Sequence, residues 1–357
     1  MHILLLSAYD TDSHKSWCQG LMNQLSQHQW HYLTLPGRHF SWRIRGNGLS
    51  FAFGDQAHLL QQTYDLIIAT SMVDLATVKG LCPKLASTPS ILYFHENQFA
   101  YPKSHAQHSS IEPQMVNLYA ALCADKVVFN SEFNRQSFLE GATSLLKKLP
   151  DHAPLSAIES IKHKSQVLPV PIHCPTNKQT TLKKGEPLKV IWNHRWEYDK
   201  GPDTLANCIK LAAQGNLNIE FTVCGMSFRN WPDVFIQLNE HKPSNLLHLG
   251  TFESKQEYLD QLSQHHVVLS TAIHEFQGLA MLEGAALGCS PLAPNRLAYP
   301  EWIPSSNLYN QGSSKDEAKN ICNTLKLWLE NGIPKTPDVS AYQWVNMKWD
   351  YEQLIMF

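Results

Sequence analysis

No run of about 18 apolar residues occurs anywhere in these 357 residues, which argues against a membrane-spanning helix. There is no C-x-x-C pair and no H-E-x-x-H string, so neither the eight cysteines nor the eighteen histidines show metal-ligand spacing. The cysteines are scattered, several within apolar segments, the pattern of buried thiols in a reducing cytosol rather than of disulfides. A net charge of −2 supplies no overall field for a polyanion. The opening Met1-His2-Ile3-Leu4-Leu5-Leu6 is too short for a signal peptide and lacks its basic leader; it reads as a first β-strand. A cytoplasmic chain with no membrane partner is therefore expected. At 43% hydrophobic residues, its length suffices to bury two cores of ordinary size.

Short apolar runs alternate with helical patterns throughout. Strands are expected at Ile3–Ser7, Trp30–Leu35, Leu66–Ala69, Ile91–Phe94, Val127–Phe129 and Val167–Val170 in the first half. In the second half they are expected at Lys189–Trp192, Ile219–Val223, Leu246–Leu249, Val267–Leu269 and Ser290–Ala293, with helices at Asp203–Ala213, Lys255–Leu262 and Gly278–Leu287 among those between. This alternation predicts an α/β fold of two Rossmann-like domains, each with a parallel sheet covered on both faces. The boundaries read as 1–173 for the first domain, 174–187 for a Lys- and Thr-rich linker, 188–342 for the second domain, and 343–357 for a final helix. Segment Arg38–Gly54 reads as an irregular excursion or short hairpin, and Ser144–Lys164 as a helical insertion or mobile loop. Two such domains facing each other would present their strand ends to a shared cleft, where ligands bind.

The stretch His274–Glu283 carries the most chemistry. Glu275 falls in a strand-to-helix loop, and Glu283 about two turns inside the following helix. The first carboxylate is placed to accept hydrogen bonds from sugar hydroxyls and the second to reach a ribose diol; the competing reading is one solvated loop residue and one surface helix residue. Arg195 and Lys200 leave another strand end together, as a diphosphate requires, with a helix N-terminus near Pro202 behind them. Alternatively, that pair is balanced by Glu197 and Asp199. His95, at a strand end in Phe94-His95-Glu96-Asn97-Gln98, can donate to a sugar hydroxyl or leaving group, or be bonded within its turn. Ser131 reads as a helix N-cap, and the loop Asp10–Ser13 as one that directs N–H groups into the cleft. Arg296, in Pro294–Glu301, would lie against the donor or simply in a proline-bounded loop. Arg38, His39, Trp42, Arg43 and Arg45 interleave basic and aromatic residues, a pattern suited to splayed RNA bases and equally to an ordinary surface. Lys147, Lys148, Lys162 and Lys164 could add phosphate contacts.

The E-x7-E element and the Arg195/Lys200 pair resemble the retaining glycosyltransferases of family 4. Five longer strings are more specific: Phe94–Gln98, Phe129–Ser131, Trp192–Glu197, Ser270–Phe276 and Pro294–Glu301. Together they resemble the tRNA-queuosine α-mannosyltransferases. That resemblance implies a GT-B fold and transfer of mannose from GDP-mannose to the cyclopentenediol of queuosine in aspartate tRNA, with no metal and no further cofactor. It implies donor binding by Arg195, Lys200, Glu283, Ser13, Phe276 and Gly278, catalytic roles for His95 and Glu275, and acceptor contacts from Arg38, Arg43, Arg45, Asn97 and Arg296. It also implies a final helix that crosses back to the first domain. One departure stands out: Asp10-Thr11-Asp12 precede Ser13, where the family commonly carries paired glycines, and their charge would oppose a nearby diphosphate. Two other functions are carried alongside: a related transferase acting on a glycan, lipid or small molecule, and a non-catalytic RNA- or nucleotide-sugar-binding module.

Overall fold

The computed structural model describes residues 1–101, 110–151, 153–177, 179–226 and 231–356. They form two compact units, Met1–Pro171 with Trp344–Phe357, and Ile172–Gln343. Within the first stretch the order is β1 (His2–Asp10), α1 (Asp12–Gln24), β2 (Gln29–Pro36), α2 (Phe40–Phe53), β3 (Leu66–Thr70), α3 (Leu75–Leu81) and β4 (Ser90–Phe94). It continues with α4 (Glu112–Cys123), β5 (Lys126–Phe129), α5 (Glu132–Lys148), α6 (Ser156–His163) and β6 (Ser165–Val167). The strands form one parallel sheet in the order β2-β1-β3-β4-β5-β6. Every residue of β3 and β4 is buried, as expected of parallel strands covered on both faces.

The second unit contains β7 (Leu188–Asn193), α7 (Pro202–Gln214), β8 (Ile219–Cys224), α8 (Asp233–Glu240), β9 (Leu246–Gly250), α9 (Lys255–Gln264) and β10 (Val267–Leu269). After these come α10 (Leu279–Ala286), β11 (Ser290–Pro294), β12 (Leu308–Tyr309) and α11 (Ser314–Asn331). Its sheet is also parallel, in the order β12-β11-β10-β7-β8-β9. The chain builds outward from β7 on one side, then returns to add β10 on the other. The β7/β10 boundary is thus a topological switch point, where exit loops diverge and leave a crevice. β1 and β3 form the equivalent boundary in the first sheet. The last helix, α12 (Trp344–Ile355), packs in the first unit: Trp344 occupies the space a Cβ on Gly20 would fill, and the Tyr351 hydroxyl accepts from Trp17 Nε1 at 3.0 Å. Phe357 lies outside the described residues.

Several local expectations are corrected. Arg38–Gly54 is mostly helix α2, not a hairpin or irregular excursion. Its glycines serve close approach rather than turning: a Cβ on Gly48 would lie 2.6 Å from Thr77 of α3. For Ser144–Lys164 the helical reading holds: it comprises the end of α5 and α6. β6 ends at Val167 instead of continuing to Val170, and β12 had no signal because it is only two residues long. Segment 174–187 is held against the second unit: the Asn177 N–H donates to the Ala286 carbonyl, Gln179 Nε2 to that of Pro334 and Thr180 Oγ1 to that of Ser263. Trp349 is 65% exposed, while Trp344, Tyr351, Leu354 and Ile355 of the same helix are buried.

Candidate active site

In the second unit, β7 and β10 run parallel and adjacent, so their exit loops lie side by side. Backbone bonds join them: the Asp199 carbonyl accepts from the N–H groups of Ile273 at 2.8 Å and His274 at 3.0 Å. Thr271 Oγ1 donates to the Lys200 carbonyl at 2.7 Å and accepts from Trp192 Nε1 at 2.9 Å. The Lys200 ammonium lies 3.2 Å from Glu275 Oε2 and 3.1 Å from Asp199 Oδ2, and donates to the His274 carbonyl at 3.0 Å. A cation so buried persists only when paired and hydrogen-bonded. Burial works against the Lys200 ammonium, but Glu275 and then Asp199 outweigh it and raise its pKa. Burial likewise favours protonation of Glu275, but Lys200, followed by His194, holds that carboxyl at about 2. Glu275 is therefore an anion at neutral pH. His194 is pushed down to about 3 by burial and then by Lys200, so its ring is neutral.

Glu283 lies in α10, which begins at Leu279; it sits a little over one turn into the helix, not two. Gly278 precedes that helix in the left-handed region, φ 86°, and a Cβ there would lie 2.8 Å from the Tyr299 ring. The next residues can therefore leave the β10 loop directly into a helix. Glu283 Oε2 accepts from the Tyr258 hydroxyl at 2.8 Å, and Oε1 lies 2.8 Å from Lys255 Nζ. Tyr258 in turn accepts from Asn193 Nδ2 at the end of β7, at 2.9 Å. Glu283 is thus tied to the same switch point as Glu275. Phe276 is buried edge-on against His274, with ring centres 4.4 Å apart.

Arg195 is exposed and lies 3.2 Å from Glu197. Both cations of the pair therefore have acidic neighbours, and a diphosphate would compete with them. Arg296 braces the β10 exit loop: it donates to the Ala272 carbonyl at 3.0 Å and forms a two-pronged ion pair with Glu317 of α11. That carboxylate is 3% exposed, so the pair is a structural brace and does not fit an acceptor contact.

In the first unit, the ends of β1, β3 and β4 bring together His14, Ser71, His95 and Glu96. His14 bonds the Tyr9 carbonyl through Nδ1 and Glu96 Oε2 through Nε2, both at 3.0 Å. Ser71 donates to Glu96 Oε1 at 2.8 Å. The His95 ring lies against those of His14 at 4.3 Å, Tyr93 at 4.7 Å and Trp17 at 4.8 Å. Burial opposes the charged form of His14, but Glu96 outweighs it by charge and hydrogen bond, raising the His14 pKa. Burial and then His14 hold His95 well below its ordinary value. A neutral His95 can donate through one nitrogen and accept through the other; neither finds a hydrogen-bond partner among the described residues.

The remaining expected residues separate. Ser13 is exposed in the first turn of α1. Asp10 points away, accepting from Ser7 Oγ at 3.0 Å and the Tyr32 hydroxyl at 2.7 Å, while Asp12 is exposed beside Ser13. Asn97 is fully buried and saturated, donating to Asn134 and Ser137 and accepting from the N–H groups of Phe99 and Ala100. It holds the β4 exit loop on α5 and has no capacity left for an acceptor. Arg38 is exposed, Arg43 is 9% exposed, and Arg45 lies 2.6 Å from Asp74. Residue patterning missed Tyr258, Asn193 and Glu96 as site members; Glu96 and Asn193 had a signal, inside the strings Phe94–Gln98 and Trp192–Glu197, and Tyr258 had none. Among the described residues, no group of three or more His, Cys, Asp or Glu could hold a metal ion, and no helix is long and apolar enough to cross a membrane.

Comparison with known proteins bears on the family and on the fold. Residues 2–172 match the family described as tRNA-queuosine alpha-mannosyltransferase N-terminal. The chain is 36% identical over 324 residues to the tRNA-queuosine alpha-mannosyltransferase of Drosophila melanogaster, covering 88% of this chain and 84% of that protein. Among solved structures it is similar to sucrose-phosphate synthase from Thermosynechococcus elongatus, with a TM-score of 0.69 at 15% identity, covering 99% of this chain and 98% of that one. It is also similar to HepE of Anabaena in complex with UDP, with a TM-score of 0.65 at 14% identity and the same coverage. At such identities the structural likeness is one of fold, and the fold is GT-B.

Proposed function

Because this chain belongs to the tRNA-queuosine α-mannosyltransferase family, we propose that it transfers mannose from GDP-mannose to the queuosine of aspartate tRNA, with retention at the anomeric carbon. The observation that carries this reading is the buried Lys200–Glu275 pair, 3.2 Å apart at the β7/β10 switch point, with Glu283 fixed beside the same crevice. Nucleotides bind at such crevices in open α/β sheets. Arg195 and Lys200 would meet the diphosphate, and Glu283 the ribose diol. Binding of the diphosphate would draw Lys200 partly away from its carboxylates, freeing Glu275 to accept from the sugar hydroxyls. In the first unit, neutral His95 supplies a donor and an acceptor for the transferred sugar.

The C–O bond between the anomeric carbon and the diphosphate breaks as the acceptor oxygen attacks from the same face. The departing phosphate oxygen takes the acceptor's proton. Positive charge develops on the sugar and negative charge on the leaving group. Glu275 answers the first, while Arg195 and Lys200 answer the second, so catalysis rests on positioning and preorganised charge. The test is to incubate the protein with queuosine-containing aspartate tRNA and a panel of nucleotide sugars, then measure nucleoside masses. A hexose added to queuosine from GDP-mannose alone is expected. No gain with any donor, or a gain only on a glycan or lipid acceptor, would overturn the reading.

A further inference from the structure

The outer face of α2 has no role in the donor chemistry, yet its construction is unusual. Trp42, Arg45, Leu49 and Phe53 recur at helical spacing and form one stripe. Trp42 is 54%, Leu49 51% and Phe53 71% exposed, and the Arg45 side chain 55%. Large apolar groups repeated along one helix face mark an interaction surface, unlike the same groups scattered singly. Gly46 explains how Trp42 is held. A Cβ there would lie 2.5 Å from Trp42 Cε2 and Cζ2 and 2.8 Å from the ring-fusion atom Cδ2. Near-equal distances to these atoms place Gly46 beneath the face of the indole, not at its edge. One face of the ring is therefore sealed on the helix backbone and the other is open to solvent.

The segment itself carries charge of one sign, and the exposed Asp55 follows it. From Arg38 to Gly54 the chain carries Arg38, Arg43, Arg45 and His39 and no carboxylate. The acidic neighbour, Asp74, is already occupied by Arg45 through Oδ2 and by the Thr77 N–H through Oδ1, and is 2% exposed. Arg43 is 9% exposed, and its Nε finds no hydrogen-bond partner among the described residues.

We propose that the Trp42 face of α2 is the RNA-docking surface of this protein, where an unpaired base stacks on the open side of the indole and a flanking phosphate meets Arg38. This rests on the tRNA acceptor proposed above. A flat ring with one protected face suits a base, since all bases offer a π-face, and guanidinium groups suit phosphate. Phe53, eleven residues further along α2, offers a second apolar surface about 16 Å away on the same stripe. A second copy of the chain would also be attracted by the apolar groups, but would present no phosphate to Arg38.

The test uses the full chain and fluorescently labelled aspartate tRNA containing queuosine. Binding is followed by anisotropy over a salt series for wild type, Trp42→Ala, Trp42→Phe, Arg38→Ala and a distant exposed control, Leu327→Ala. Trp42→Ala should weaken RNA binding about five- to a hundred-fold, with Trp42→Phe restoring most of it. Arg38→Ala should lower the salt slope by about one. GDP affinity and Leu327→Ala should match wild type. If wild type binds the tRNA and Trp42→Ala binds equally well, the docking surface is overturned while the function stands. If binding depends on Trp42 but no sugar is transferred, the surface stands and the function fails; if wild type does not bind tRNA, both fail. Sedimentation of a wild-type dimer that Trp42→Ala dissociates would assign the face to a second copy and overturn the proposal.

Discussion

Glu275 and Glu283 are eight residues apart in sequence, but their surroundings differ in kind. Glu275 is held as an anion at about 2 by a buried ammonium, whereas Glu283 accepts from a tyrosine hydroxyl and pairs with the exposed Lys255. Glu275→Gln keeps the shape and removes the charge, so turnover should fall roughly 10²-fold or more with GDP affinity nearly intact. Glu283→Gln should instead weaken GDP binding. Single-turnover transfer and GDP titration separate the two, and swapped phenotypes would reverse the roles. A second residue-scale prediction concerns His14. Its folded pKa is raised above 6.5, so the His14–Glu96 pair contributes stability that is full below 6.5 and is lost as pH rises through the folded value. Glu96, Asp10 and neutral His95 are the titratable groups that bear on it. The stability difference between wild type and Glu96→Gln should therefore shrink as pH rises above 6.5 in thermal unfolding. A difference that grows over that range would mean that His14 is neutral in the fold.

At the scale of elements, the loops after β7 and β10 work as one unit because backbone groups join them. Gly278 is where the second loop becomes α10. Its φ of 86° is one that L side chains rarely adopt, and Tyr299 fills the space beside it. Gly278→Ala should cost about 1–3 kcal/mol in denaturant unfolding. It should also weaken GDP binding, because the start of α10 sets the direction of Glu283. Unchanged stability and affinity would show that the loop tolerates another conformation. α2 teaches a different lesson at this scale. Three glycines, several aromatics and three arginines across Arg38–Gly54 read as irregular chain, yet Gly46 and Gly48 permit close packing inside a helix.

For the whole molecule, the decisive feature is a compact unit that is discontinuous in sequence. α12 follows the second unit along the chain but packs in the first, burying Trp344, Met347, Tyr351, Leu354 and Ile355. Each such side chain contributes about 1.5–3 kcal/mol. Their sum is comparable to the net stability of an ordinary domain, about 5–15 kcal/mol. Removing α12 should therefore unfold the first unit while the second keeps its fold and its GDP affinity. Calorimetry and GDP titration on the truncated chain check this; retention of both wild-type transitions would contradict it. The candidate donor residues lie in the second unit and His95 in the first, so the truncated chain should also transfer no sugar.

The strands, apart from the extent of β6 and the two-residue β12, and the final helix were legible without coordinates, because short apolar runs set between helical patterns are a local property of the chain. So was Ser131, whose side chain caps α5 by accepting from the Asn134 N–H at 2.9 Å. The strings around His95, Arg195 and Glu275 also pointed to the family from sequence alone. Tertiary structure decided the partners, and partners decide what a polar residue is free to do. Lys200 and Glu275 are 75 residues apart, His14 and Glu96 82, Arg296 and Glu317 21. Asn97 and Arg296 looked like residues available to a ligand, but packing saturated the first and tied the second to Glu317, since buried polar groups must find hydrogen bonds wherever the fold provides them. Trp42 went the other way: nothing in its sequence neighbourhood says that Gly46 lies beneath its ring and leaves one face open.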